Sequence, residues 1–115
     1  MMAGSGKGQA SALAALATRR LALVGDASAL TAEVLRLNQK LAGIEMEVLR
    51  LQLEIGREGA GIQLVQDLHN AEQSAAAATE ACMKIEERIM AIEGEIADVD
   101  RALAKATSGS EGEAP

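Results

Sequence analysis

The chain has 115 residues and a formal net charge of −6, and its composition excludes several classes of protein. It contains no Phe, Tyr or Trp, so any core is built from Leu, Ile, Val, Ala and Met, which favours thin, repetitive packing over a compact globular core. Nucleic-acid binding needs a cationic patch and stacking aromatics, and neither is present. No stretch reaches the roughly 18 apolar residues of a membrane span.

The N-terminal residues lack periodicity as far as residue 10, which predicts a disordered tail over 1–10. Residues 1–25 contain Lys7, Arg19 and Arg20 but no acid, a composition that resembles a mitochondrial transit peptide. The apolar spacing of the rest of the chain already begins at Leu13 and Leu16, which favours an ordinary helix start. We therefore expect a cytoplasmic or other soluble intracellular protein, with mitochondrial targeting as the alternative.

A heptad repeat, with positions a to g, follows the tail. Its a and d positions can be followed from Leu13 to Ile55 in alternating steps of three and four, and all of them except Arg20 are apolar: Leu13, Leu16, Arg20, Leu23, Ala27, Leu30, Val34, Leu37, Leu41, Ile44, Val48, Leu51 and Ile55. Spacing of this kind predicts a helix packed on another helix along an apolar seam. The stem of Arg20 can lie along the seam while its charged group reaches water.

A second tract has the same alternating steps. Its a and d positions are Gly61, Leu64, Leu68, Ala71, Ala75, Ala78, Cys82, Ile85, Ile89, Ile92, Ile96, Val99, Leu103 and Ala106. The two registers differ by one residue, which is neither a stutter nor a stammer, so a loop accommodates the offset better than a continuous supercoil does.

The offset coincides with a glycine-rich stretch, "EIGREGAGIQ" at 54–63, that contains Gly56, Gly59 and Gly61. Each glycine inside a helix costs about 1 kcal/mol relative to alanine, and glycine also supplies the left-handed conformation that ends helices. We therefore predict a turn over 56–63 between two arms of equal length, about 13–55 and 64–106.

These arms predict an all-α fold, an antiparallel two-helix coiled-coil hairpin over 11–106. Setting Ile55 opposite Leu64 places large residues opposite small ones, such as Leu41 opposite Ala78 and Ala27 opposite Ile92, as close packing requires. Two alternatives remain: a three-helix bundle with a further break near Gly25–Asp26, and a parallel dimer of unbent helices. Residues 107–115 lack periodicity and predict a disordered acidic tail.

Each arm carries more apolar residues than one seam needs, as helices of bundles do. The excess lies mainly at b positions, with Val24 at e. We expect it to form an interface with a second copy or with a helical partner, which predicts a four-helix bundle; the interface residues are Leu21, Val24, Leu35, Leu49, Ile62, Met83 and Met90.

Three features invite a chemical interpretation, and none supports one. "GSGKG" at 4–8 lacks the first Gly and the final Ser or Thr of a phosphate-binding loop. His69 and Glu72 share a helix face, but no second pair exists to complete a metal site. Cys82 falls at a seam position and is expected to act as a small apolar residue. We expect no catalytic residue, cofactor, metal or small-molecule substrate.

The sequence therefore predicts a non-enzymatic, acidic coiled-coil subunit that acts as a structural protein, scaffold or adaptor. It would work by self-association, as a homodimer, or by docking on helices of a larger assembly. The alternative function is a chaperone or secretion-stalk role in which the hairpin binds an amphipathic helix of a client.

Overall fold

A computed structural model describes residues 2–112 of the chain and the side chains of residues 8–108. Helix α1 spans Met2–Glu58 and helix α2 spans Ile62–Gly112. The two helices form an all-α antiparallel hairpin, which confirms that prediction. Residues 2–10 belong to α1 and residues 107–112 to α2, although the sequence favoured disordered tails over 1–10 and 107–115; residues 1 and 113–115 lie outside the described part.

The connection between the helices consists of residues 59–61. Gly59 has φ +94°, a conformation that costs an L-residue about 1–2 kcal/mol, and its N–H donates to the Ile55 carbonyl at 2.9 Å to close α1. The Gly61 carbonyl accepts the N–H of Val65 at 3.1 Å, the first bond of α2. Gly56 lies inside α1, and nothing is within 4 Å of the position its Cβ would take.

The seam predicted from the heptads is the part of the hairpin that is sequestered from solvent. Every described seam residue is buried or half-buried except Arg20 and Gly61. The buried ones are few, as expected where only two helices share a seam: Leu23, Leu51, Ala78, Cys82 and Val99. Half-burial of the other seam residues leaves the stability of the hairpin dependent on many partial contacts.

The chain divides into two compact units, of which residues 30–87 form one. Its core is built around Leu51, which is 2% exposed, and around Ala78 and Cys82. One groove of this unit is lined by Leu37 and Ile44 of α1 and by Ala77 and Ala78 of α2. Small side chains of α2 therefore lie across the groove from larger side chains of α1.

The other unit contains residues 1–29 and 88–115. Leu23 and Val99 are its buried apolar residues. Polar contacts join its two helical segments: Arg20 Nε donates to Asp100 Oδ1 at 2.6 Å, and Arg19 donates to Glu95 at 3.0 Å.

The three-helix alternative is wrong. Helix α1 continues through Gly25 and Asp26 without a break, because the seam keeps its spacing on both sides of Gly25. The cost of a single helical glycine, about 1 kcal/mol, is small compared with the packing of the seam that continues past it.

Candidate partner-binding surface

The two sides of the 30–87 unit differ in how exposed their side chains are. In an antiparallel hairpin the e positions of both helices border one side of the seam and the g positions border the other. Outside the seam, the half-buried side chains of this unit are Glu33, Glu54, Asp67 and Ala81, all at g positions, whereas every e residue is exposed. The e side of this unit is therefore the more exposed one, and we call it the open side and the g side the closed side.

The open side carries large apolar side chains that are exposed to solvent. We call it the apolar flank and define it by the exposed apolar residues at b, e and f positions: Leu35, Met46, Leu49 and Leu53 of α1, and Ile62, Val65 and Met83 of α2. Their exposed fractions run from 47% for Val65 to 89% for Ile62. Large exposed apolar side chains that recur over several helical turns are typical of a surface that another protein covers.

The members of the apolar flank on α1 follow a second heptad pattern. Because successive residues of an α-helix are rotated by about 100°, residues 35, 46, 49 and 53 fall within one narrow sector of the helix. This sector lies away from the seam. Helix α1 therefore has an apolar stripe facing α2 and a second stripe facing solvent.

A groove on the apolar flank joins the two helices. Glu45, Val48 and Leu49 of α1 line it together with Glu72 and Ala75 of α2. Its polar groups are carboxylates, and neither Glu45 nor Glu72 makes an ion pair or a hydrogen bond with a described residue. The groove thus combines an apolar wall with two unpaired acids.

The opposite side, which we call the charged flank, consists of the c and g positions of the same unit. On α1 it contains Glu33 paired with Arg36, and Arg50 paired with both Glu47 and Glu54. The hydrogen bond from Arg50 holds the pKa of Glu47 below its usual range, and the bond to Glu33 raises the pKa of Arg36. The charges on this flank are largely neutralised within the helix itself.

The residues predicted as an interface all lie on the surface, but in both units. Leu35, Leu49, Ile62 and Met83 belong to the apolar flank. Leu21, Val24 and Met90 are exposed residues of the other unit, with Leu21 at 74% and Val24 at 37%. Their role as an interface remains a prediction.

Three members of the apolar flank were missed by the sequence interpretation: Met46, Leu53 and Val65. Met46 and Leu53 occupy f positions, which are normally the most solvated of the heptad, so the repeat gives no reason to expect apolar residues there. Their spacing from Leu49, three and four residues, was a signal that could have identified them.

The sequence features that invited a chemical interpretation are structurally simple. His69 is exposed beside Ile62, Val65 and Gln66 in a shallow hollow near the turn. Within the described residues, no group of three or more His, Cys, Asp or Glu side chains is arranged to hold a metal ion. The backbone at residues 4–8 is helical, so "GSGKG" forms no phosphate-binding loop.

Cys82 is buried in the seam of the 30–87 unit. Its Sγ lies 3.5 Å from Asn38 Oδ1 and 3.4 Å from Glu86 Oε1, so its single proton can be donated to either oxygen. Burial raises the pKa of the Cys82 thiol, and the hydrogen bond to the Glu86 carboxylate raises it further. Both effects disfavour the nucleophilic thiolate.

Comparison with known protein families, curated proteins and solved structures finds no match for this chain. In the described part of the chain, neither helix is apolar enough over a sufficient length to cross a membrane.

Proposed function

We propose that the chain is a non-enzymatic helix-binding module that serves as a structural or adaptor subunit. It packs the apolar flank of residues 30–87 against helices of a second copy or of a larger assembly, which completes a bundle of four or more helices. The observation that carries this proposal is the position of seven large apolar side chains, Leu35, Met46, Leu49, Leu53, Ile62, Val65 and Met83, on the open side of the unit.

The energetics favour such a partner. Fully burying one large aliphatic side chain contributes about 1.5–3 kcal/mol, so covering a few of the seven is enough to drive association against its entropic cost. Met46 and Met83 have unbranched side chains that adapt to irregular partner surfaces. Their presence supports the second candidate, a chaperone that binds amphipathic client helices.

The test compares two double variants of the whole chain. Leu35→Gln/Leu49→Gln changes the apolar flank, whereas Lys40→Gln/Asp67→Asn changes two charged positions of the charged flank and preserves the net charge. We expect the first pair to abolish concentration-dependent association or copurification with a helical partner, and the second to leave it intact. The readouts are light scattering and mass spectrometry of the material purified from the native source.

A wild-type chain that stays monomeric and copurifies with no helical protein would contradict the proposal. The two candidate functions separate by exchange. A structural subunit remains in a stoichiometric complex with one partner, whereas a chaperone releases labelled client when an excess of unlabelled client is added.

A further inference from the structure

The Lys and Arg residues of the 30–87 unit are confined to one side of it. Every Lys and Arg of this unit lies at a c or g position, on the charged flank: Arg36, Lys40, Arg50, Arg57 and Lys84. Arg36 and Arg50 are ion-paired with acids of their own helix, and Lys84 lies 3.5 Å from Glu80. The apolar flank has no Lys or Arg with which to balance its acids, and His69 is the one histidine beside it.

The acids on the apolar flank are placed next to its apolar side chains. Glu45 and Glu72 border the groove that Leu49 lines, and Glu86, another e residue, lies next to Cys82. A partner that covers Leu49 therefore comes within a few ångströms of two carboxylates. These carboxylates lose water on binding, which is unfavourable unless the partner supplies cations or hydrogen-bond donors.

A second copy of this chain brings no Lys or Arg from the same surface. In a symmetric dimer the same patch occurs on both sides of the interface, so the apolar flank would meet Glu45 and Glu72 of its copy. Like charges brought together in a desolvated groove repel each other. The apolar flank is self-complementary in its apolar residues but not in its charges.

We propose that the apolar flank of residues 30–87 binds a basic amphipathic helix of another protein. Apolar residues of that helix, repeating every three or four positions, pack against Leu35, Met46, Leu49 and Leu53. Lys or Arg residues beside that stripe pair with Glu45 and Glu72. This inference rests on the proposed helix-binding function and adds the charge and origin of the helix that is bound.

The test uses two synthetic helical peptides of about three heptads, each with Leu at a and d and one Trp. They differ only at the flanking positions, which are Lys in one peptide and Glu in the other. Because the chain contains no aromatic residue, all Trp fluorescence in the mixture comes from the peptide. We expect the basic peptide to bind the full-length chain at least about tenfold more tightly, an advantage that shrinks in about 1 M NaCl, where the Debye length is about 3 Å.

Two charge-matched double variants locate the effect. Glu45→Gln/Glu72→Gln removes the acids of the groove, and Glu47→Gln/Glu54→Gln removes two acids of the charged flank. Since both change the net charge equally, only a local interaction distinguishes them. We expect the first pair to weaken binding of the basic peptide about fivefold or more, and the second to have little effect.

Each other outcome overturns the inference. Equal affinity for the two peptides, or equal weakening by the two double variants, means that the groove does not select a cation. Failure of both peptides to bind, together with a dimer that Leu35→Gln/Leu49→Gln dissociates, means that a second copy occupies the flank; the helix-binding function then survives. Failure of both peptides and a strictly monomeric chain without a partner removes the function as well.

Discussion

Arg20 and Asp100 join α1 to α2 through two hydrogen bonds, from Nε to Oδ1 at 2.6 Å and from Nη2 to Oδ2 at 3.5 Å. Arg20 is the one charged residue among the seam positions of its arm. The hydrogen bonds to Asp100 raise the pKa of Arg20, which is a cation at any ordinary pH. The pair therefore ties one position of α1 to one position of α2, as polar seam residues do when they fix a register.

Replacing Arg20 by leucine tests what this pair contributes. We expect Arg20→Leu to raise the melting temperature by a few degrees, because an apolar seam contact replaces an exposed ion pair of small net value. Arg101→Leu is the control, since Arg101 is exposed and pairs with Asp98 of its own helix; it should not stabilise. Thermal unfolding followed by circular dichroism measures both. A larger fall in melting temperature for Arg20→Leu than for Arg101→Leu would mean that the ion pair stabilises the hairpin more than the seam contact does.

The glycines of the connection should respond in opposite directions to alanine. Gly59→Ala forces a residue with a Cβ into φ +94° and is expected to cost about 1–2 kcal/mol of unfolding free energy. Gly56→Ala lies within α1 with open space around its Cβ, so it should stabilise by about 0.5–1 kcal/mol. Urea unfolding of both variants measures the difference. The same sign for both substitutions would be inconsistent with the described turn.

Two leucines on the same helix separate packing in the hairpin from packing against a partner. Leu51 is 2% exposed and Leu53 is 64% exposed. Leu51→Ala should destabilise the isolated chain by about 2–4 kcal/mol, because it leaves a cavity in the seam, whereas Leu53→Ala should change stability by less than about 0.5 kcal/mol. Binding of a helical partner should be weakened by Leu53→Ala. Comparable destabilisation by the two variants in urea unfolding would place Leu53 in the hairpin core.

The thiol of Cys82 should be protected in the folded chain. Iodoacetamide at about pH 8 is expected to modify it at least tenfold more slowly than in urea-unfolded chain, because it is buried and its pKa is raised. A pKa raised by folding gives stability that is retained below the unfolded value, about 8.5, and lost as pH rises through the folded value. The stability advantage of wild type over Cys82→Ala should therefore shrink between about pH 8 and 10. A constant difference across that range would contradict the raised pKa.

The periodicity of the sequence predicted the seam because the residues that two packed helices bury against each other are apolar and recur at a and d. Leu51, Ala78 and Val99 are buried at positions that the repeat identifies without any knowledge of structure. The ends of the helices were less predictable. Gly56 stays in α1 since its helical cost is only about 1 kcal/mol, and only the positive φ of Gly59 marks where the helix stops.

The candidate surface was predictable only in part, for a related reason. Leu35 and Leu49 were identifiable as apolar residues at b positions. The difference between the closed and open sides, however, depends on the half-burial of g residues such as Glu33 and Asp67, which the residue pattern does not predict. The ion pairs of Arg50 likewise depend on rotamers, even though their three- and four-residue spacing is visible in the sequence.

The connection of only three residues, 59–61, also sets the effective concentration of one helix with respect to the other. While the connection is intact, the effective concentration of α2 around α1 is in the millimolar range, as is usual for segments joined by a short linker. Cleavage between Ala60 and Gly61 would turn the same seam into a contact between separate peptides, whose survival depends on dilution. Cleavage at this exposed loop tip, a preferred place for proteolysis, would thus leave both helices chemically intact and yet free to bind new partners.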